Sequence, residues 1–557
     1  MRRLLPMLTL CLALAADPSD PVVERMRRDV QHLAGPELRG RGNGSEDLDK
    51  AAAYVLEAHR RLGLKAEIQR VPFVVRVERE RLAATLQGGV NARPLQWARD
   101  IEALPGSGSG TFTARPLVFA GLGLRTATRD DLAGLEVSGK VVLVALKVPD
   151  LPAFASLGGR ERSLSSRAQA LIQAGAVAVV GIAEGELPPG LAPGPSWSTA
   201  SVPLLAAPGR IFQEALPDLG SRLKKLGDGP QSCDLRATLD LDLQLKPVEG
   251  HLPNVIALIP GRDPNLAKEY VVFGAHLDHL GVRRPRGSDG DVAVPHVGAD
   301  DTASGSALVL ELARRFTEER PRRSLLVMHF GGEEMGLVGS RYWTGHPTVD
   351  LSQVKFMANF DMVGRVPKER PRLRLLAPGV SLPKLTHLAA LAPEGLAVVP
   401  DPAEFVYGGS DHQSFTGRGI PTFFFFTGLH KDYHRPTDTP EKLNLEGMAL
   451  LAGYAQRLLR QIADGTPPVF TPPASLGLRG ERQLERGHKV GSVERGSVAE
   501  AAGLKAGDLV TGLGDLIINN ATDFRQALGE FQAGDRVLIR WVRNGKEMEA
   551  TVVLRAR

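Results

Sequence analysis

The sequence predicts an α/β protein on a mixed, mainly parallel central sheet, with a β-rich inserted domain and a small C-terminal β domain. Three observations carry this. From Asn254 to about Ile462, short apolar runs alternate with helix-spaced segments, the pattern of strands joined by crossover helices. Several of these apolar runs are followed at once by an acid or a histidine. A proline-rich stretch, Asp464 to Pro473, then sets off a compact tail.

At 557 residues the chain is too long for one core, and three or four domains are expected. A hydrophobic content of 43% and a charged content of 24% are those of an ordinary globular protein. The formal net charge of +5 is small for this length, and no basic block with interleaved aromatics occurs, which excludes a nucleic-acid binder.

The elements follow in order. Residues 1–16 read as a signal peptide: Met1-Arg2-Arg3 is positive, Leu4 to Leu14 is apolar, and Ala13-Leu14-Ala15 is a small-residue cleavage site. The stretch is too short to span a bilayer, and no later segment reaches that length, so the mature chain has no membrane span. An exported protein, periplasmic or extracellular, is expected. Cys11 falls inside this leader, which leaves Cys233 alone in the mature chain, without an intramolecular disulfide and read as a small buried hydrophobe.

Residues 17–90 and 245–463 form the expected catalytic domain. Its first part carries helical spacing at Val22 to Met26 and Ala51 to Leu64, around the turn-rich loop Glu37-Leu38-Arg39-Gly40-Arg41-Gly42. Residues 91–244 read as an inserted domain, with strands at Lys140–Leu146 and Ala176–Val180 and a helix at Arg167–Ala174. It holds no cluster of acids and histidines, and either covers or filters the site or serves only as packing. Residues 464–474 are the linker and 475–557 the tail, with a helix near Asp523–Leu528 and a strand at Val537–Arg543.

The chemistry lies at the strand ends, because ligands at the carboxyl ends of neighbouring parallel strands converge in space. Tyr270 to Ala275 is a buried strand, and His276-Leu277-Asp278 follows it; His276 is read as a metal ligand, with Asp278 holding its other ring N–H. Gly298-Ala299-Asp300-Asp301-Thr302-Ala303-Ser304-Gly305 opens a helix, with Asp300 read as a carboxylate bridging two metals and Asp301 as a cap or outer partner. The strand Ser324–Phe330 ends in Gly331-Gly332-Glu333-Glu334; neighbouring side chains diverge, so one glutamate can bind metal while the other faces an attacking water. Asp361 closes the strand Lys355–Phe360, where an unpaired carboxylate would be costly. Gly419 to Phe426 is another buried strand, followed by a loop carrying Tyr433-His434, and Ser410-Asp411-His412 adds a polar cluster with no assigned role. Histidine, aspartate and glutamate converging with an acid to spare is what a two-metal hydrolase needs.

These motifs, in this order, resemble metallopeptidase family 28, over roughly residues 20–70 and 245–465. The resemblance implies the family's α/β/α sandwich and two Zn2+ per chain. One zinc would take His276, Asp361 and the bridging Asp300, the other Glu334, His434 and Asp300. It further implies Glu333 as general base, Tyr433 as a phenol stabilising the reaction intermediate, and a cis peptide between Asp300 and Asp301. The expected substrates are peptides with a free N-terminus, cut at the first bond by a metal-activated water. A carboxypeptidase or dipeptidase would use the same ligands, and a binding protein or a glutaminyl cyclase could share the scaffold. Residues 91–244 resemble a protease-associated domain. The tail, with Gly491 to Ala499 and Ala502 to Val510, resembles a PDZ domain, in which Ser475 to Leu478 would receive a peptide C-terminus unless the domain only packs.

Overall fold

The computed structural model describes residues 20–88, 92–104, 106–126, 129–151, 154, 157, 162–185, 187, 200–283, 292–380, 382–401, 409–472, 474–480 and 487–556. The expected signal peptide, Cys11 and Pro473 of the linker lie outside the described residues. The chain divides into two compact units, Met1–Gln69 with Pro253–Thr471, and Arg70–Leu252 with Pro472–Arg557.

The first unit is an α/β sandwich. In its sheet the strand Ala397–Asp401 lies beside Arg372–Leu376, then Thr422–Phe426, Val354–Phe360, Tyr270–His276, Ser324–Phe330 and the end of Cys233–Ile259. The four central strands run parallel, and antiparallel pairs flank them on both sides. Side chains alternate between two cores: Val271, Phe273 and Ala275 enter one, Val272, Leu326 and Met328 the other. Helices Gly305–Glu318 and Leu445–Asp464 fill the first core with Leu308, Leu312, Leu451 and Leu458. Trp343 and Phe415, from Val338–Gly345 and His412–Thr416, stack at 5.4 Å in the second. The phenylalanine run divides in the same way: Phe423 and Phe425 face the first core, Phe424 and Phe426 pack with Met362 and Leu376.

Two N-terminal helices join this unit. Pro21–Leu33 is capped by Asp20, whose side chain accepts from Val22 N–H, and Glu46–Arg61 by Ser45, which accepts from Leu48 N–H. Between them Arg39-Gly40-Arg41-Gly42 turns through left-handed backbone at Arg39, Gly40 and Arg41. A Cβ on Gly40 would lie 2.0 Å from the carbonyl oxygen of His296, so glycine lets this loop press against the site.

In the second unit the first part of Cys233–Ile259 pairs antiparallel with Gly110–Phe119. Val141–Ala145, Ala178–Ala183 and Leu204–Pro208 then continue in parallel. Arg167, buried on helix Leu164–Gln173, donates to the carbonyls of Leu122, Ala145 and Leu146. The tail has its own antiparallel sheet, from Leu478–Gly480 through His488–Val493, Leu509–Leu513 and Arg536–Arg543 to Lys546–Val553. Val490, Val510, Ile539 and Trp541 form its core.

Candidate active site

Register brings the expected residues together. Phe330 pairs with His276 and Asn359 with Gly274, so three parallel strands end at one level. There His276, Glu333, Glu334 and Asp361 leave the sheet. His276 is buried, and its Nδ1 lies 2.9 Å from the backbone carbonyl of Asp278, which turns Nε2 outward. The sequence reading gave this task to the Asp278 carboxylate. That carboxylate is 3.7 Å away and accepts elsewhere: from Glu333 N–H at 3.0 Å, Glu334 N–H at 3.2 Å and Asn43 Nδ2 at 2.7 Å. Asp278 therefore holds the glutamate turn, while its carbonyl fixes the imidazole.

The two adjacent aspartates exchange the positions expected of them. Asp301 faces the cluster: Oδ1 lies 3.2 Å from His276 Nε2, and Oδ2 lies 3.3 Å from His434 Nε2. Asp300 points back into the protein, where Oδ1 accepts from Gly364 N–H at 2.6 Å and Ser304 Oγ at 3.1 Å, and Oδ2 lies 3.2 Å from His430 Nε2. The cis peptide is likewise one bond later than expected, at Asp301–Thr302. The backbone explains the exchange. Asp438 Oδ2 accepts from the N–H groups of both Asp300 and Asp301, and adjacent side chains on a turn fixed in this way diverge.

Asp361 Oδ1 is 3.3 Å from His276 Nε2, and Glu334 Oε2 is 3.2 Å from His434 Nε2. His279 lies inside the cluster with Nδ1 2.8 Å from Glu334 Oε1. His434 has φ +56°, a left-handed conformation uncommon without a functional reason, and stacks on Tyr433 at 3.8 Å. Tyr433 is 37% exposed, which leaves its phenol accessible at the mouth. Asp411 and His412 are buried, and His412 stacks on Phe424 at 4.6 Å with neither ring nitrogen hydrogen-bonded.

Electrostatically the cluster is a set of acids held by imidazoles. Burial pushes the Glu334 carboxyl up, but His279 and His434 outweigh that and hold it at about 2. Burial pulls the His434 imidazole down, and Asp301 with Glu334 raise it to about 9. Burial raises Asp411 to about 7 and lifts Glu333 well above the usual carboxylate range, with Asp361, Glu334 and Asp411 adding to it. Buried atoms of this cluster still lack hydrogen bonds: His276 Nε2, His279 Nδ1, Glu334 Oε1 and Asp361 Oδ1. Nitrogen and carboxylate donors turned toward a common space without bonding one another are the donor set zinc takes.

Sequence reasoning missed the groups that hold this cluster from behind. Arg41, fully buried, donates to the carbonyls of Leu277 at 2.8 Å, Val297 at 2.9 Å and Gly298 at 3.0 Å, and also to Leu33. It thus ties the His276 loop to the Asp301 loop. Burial lowers its guanidinium to about 10, with the site's acids opposing. The only signal in the sequence was an arginine between two glycines. Arg41→Met leaves these carbonyls without a donor, at about 1–3 kcal/mol each, so Tm should fall by at least about 5 °C. Arg41→Lys should not restore it, because an ammonium cannot span a fork. An unchanged melting curve for Arg41→Met would remove Arg41 from this role.

A second support is a buried histidine pair. His59 Nε2 lies 3.1 Å from His329 Nε2, and both rings are fully buried. Ser306 Oγ donates to the carbonyl of His276 at 3.0 Å and meets His329 Nδ1 at 3.2 Å. With the serine proton on that carbonyl, His329 Nδ1 must be the donor to Ser306, which leaves its Nε2 to accept from His59. The chain of bonds needs both rings neutral. Burial lowers His59 to about 4 and His329 well below its usual value. The unfolded chain binds these protons near pH 6.5 and the folded one does not, so stability is full above pH 6.5 and falls as pH drops toward 4. Each pH unit is worth about 1.4 kcal/mol for one such group. The double variant His59→Leu/His329→Leu should lose less Tm than the wild type between those pH values; equal losses would refute this.

A cluster of imidazoles and carboxylates at the carboxyl edge of a mainly parallel sheet places the chain among the α/β metallohydrolases. Residues 254–457 match peptidase family M28, and residues 474–554 match the PDZ domain family PDZ_2. The chain thus carries an M28 peptidase domain over those residues and a C-terminal PDZ domain. It is similar to "Probable leucine aminopeptidase" of Trichophyton verrucosum (strain HKI 0517), 30% identical over 206 residues, 35% of this chain and 53% of that protein. It is also similar to "Leupeptin-inactivating enzyme 1" of Streptomyces exfoliatus, 30% identical over 196 residues, 34% of this chain and 38% of that protein. The chain thus spans about half or less of these relatives' length. Among solved structures, an aminopeptidase from Aneurinibacillus sp. strain AM-1 is 25% identical with a TM-score of 0.52, covering 81% of this chain and 96% of that one.

Proposed function

We propose that the protein is an exported dinuclear zinc aminopeptidase that hydrolyses the N-terminal peptide bond of peptides. One observation carries this reading: a single carboxylate, Asp301, meets His276 through one oxygen and His434 through the other. It can therefore serve two positions, one with His276 and Asp361, the other with Glu334 and His434. Zinc bound at both would supply Lewis acidity to the scissile carbonyl and to the water that attacks it.

The remaining steps belong to the chain's own residues. Glu333 makes no ion pair among the described residues, so it is free to take the proton of the attacking water and pass it to the leaving amine. The Tyr433 phenol, raised by burial and by the surrounding carboxylates, keeps its proton and can donate to the oxyanion. Among the described residues the ion pairs of Asp301, Asp361 and Glu334 are all with histidines, none with lysine or arginine. These acids are therefore available to metal, and the preference for a free N-terminus is supported by the similarity to aminopeptidases. The leader Met1 to Ala16 supports export, and the PDZ domain supports binding of a peptide C-terminus.

The deciding experiment is a panel of aminoacyl-anilides and N-blocked peptides, assayed with zinc and with a chelator. Unblocked substrates should be cut, the activity should vanish with chelator and return with zinc. Release of C-terminal residues from blocked peptides would overturn the aminopeptidase reading in favour of a carboxypeptidase.

A further inference from the structure

We propose that His279 is a fourth protein donor to the second metal position, making the two positions unequal. The inference rests on the two-metal reading above. His279 is 1% exposed, and its backbone N–H donates to the carbonyl of Arg41 at 3.2 Å, so the ring has little freedom. Its Nδ1 lies 2.8 Å from Glu334 Oε1 and 3.8 Å from Asp301 Oδ2. His434 Nε2 approaches the same two carboxylates, at 3.2 Å from Glu334 Oε2 and 3.3 Å from Asp301 Oδ2. Donors on a tetrahedral zinc, with bonds of about 2.0–2.1 Å, stand about 3.3 Å apart. The four separations bracket that value. The two rings meet edge to face at 5.8 Å, converging on the carboxylates from different sides.

A plain buried histidine is the competing explanation, and the hydrogen bonding argues against it. A buried orphaned ring costs free energy; His412 is another such ring, but it stacks on Phe424, whereas His279 Nδ1 faces two carboxylates. Among the described residues neither Nδ1 nor Nε2 of His279 has a hydrogen-bond partner. The close approach to Glu334 is therefore misaligned for a ring N–H, and Glu334 Oε1 is itself unbonded. Two lone pairs facing one point in this way suit a shared cation. The loop opposite has made room for the ring. Gly298 sits at φ +55°, and a Cβ there would fall 2.5 Å from two carbons of the His279 ring and 2.2 Å from the carbonyl oxygen of Asp301.

The consequence is asymmetry. The second position has four protein donors, His279, Asp301, Glu334 and His434, so water or substrate could reach it only as a fifth donor. The first has three, His276, Asp301 and Asp361, which leaves a place for water or substrate. The second metal should be the tightly held one and the first the exchangeable one.

The test uses the full chain, stripped by chelator and titrated with Zn2+ against a chromophoric competitor. Wild type should take two equivalents, one at least about 10-fold tighter than the other. His279→Ala, and His279→Phe to keep the volume filled, should weaken the tight equivalent by about 100-fold and spare the other. Two equivalents of unchanged affinity in either variant would overturn the inference and leave the two-metal reading standing. Fewer than two equivalents in wild type would overturn both. A measurement on wild type alone guards against variants that fail to fold. Loaded with Co2+, it should show exchangeable, hyperfine-shifted imidazole N–H proton signals from three histidines. Signals from only two would overturn the assignment.

Discussion

Glu333→Gln should abolish measurable turnover, lowering kcat by at least about 10²–10⁴-fold, while zinc content stays at the wild-type value. The two neighbouring glutamates hang from one support, since the Asp278 carboxylate accepts from both their N–H groups. Their side chains diverge from there. Glu334 turns to His279 and His434, whereas Glu333 makes no ion pair among the described residues. Burial, then Asp361, Glu334 and Asp411, raise the Glu333 carboxyl, with His276 opposing. A carboxylate raised in this way, with no ion pair among the described residues, is the stronger base once ionised, which suits it to take the proton of water. Glutamine keeps the size and the backbone bond but cannot take a proton, so the loss should fall on kcat rather than on KM. Glu334→Gln should instead release metal. Retained turnover in Glu333→Gln, or loss of zinc from it, would sink the assignment.

How far the sequence could be read follows from what each feature depends on. The strands were legible because buried parallel strands are continuous apolar runs, as in Tyr270–His276 and Ser324–Phe330. The residues at their ends were legible for the same reason, as a strand end aims whatever follows it. The choice between Asp300 and Asp301 was not legible. It depends on a turn whose N–H groups are held by Asp438, more than a hundred residues along the chain. The direction of His279 was not legible for a similar reason: it is set by Arg41 and by the space at Gly298, neither of them a neighbour in sequence. Arg41 itself gave no motif, because a guanidinium bonded to carbonyls leaves no pattern of acids around it. Local pattern thus pointed to the cluster, and long-range hydrogen bonds decided which of two adjacent residues faces it.

That distinction gives the second large effect. Asp301→Asn should strip the site of both metals at micromolar free zinc, because one substitution removes a charged donor from each position. Its two oxygens face His276 and His434 separately, so neither position keeps its full charge. Asp300→Asn should keep both metals. Its Oδ1 would still accept from Gly364 N–H, while an amide would replace the carboxylate oxygen 3.2 Å from His430 Nε2. The cost is the unmet buried group, about 1–3 kcal/mol, seen as a lower Tm with the metal equivalents intact. Metal content and Tm, measured on both variants, therefore separate a ligand from a support. The reverse pattern, metals lost from Asp300→Asn and kept by Asp301→Asn, would restore Asp300 as the bridge. It would also require the Asp300 loop to turn over when metal binds, against the hydrogen bonds to Gly364 and Ser304 that now hold it.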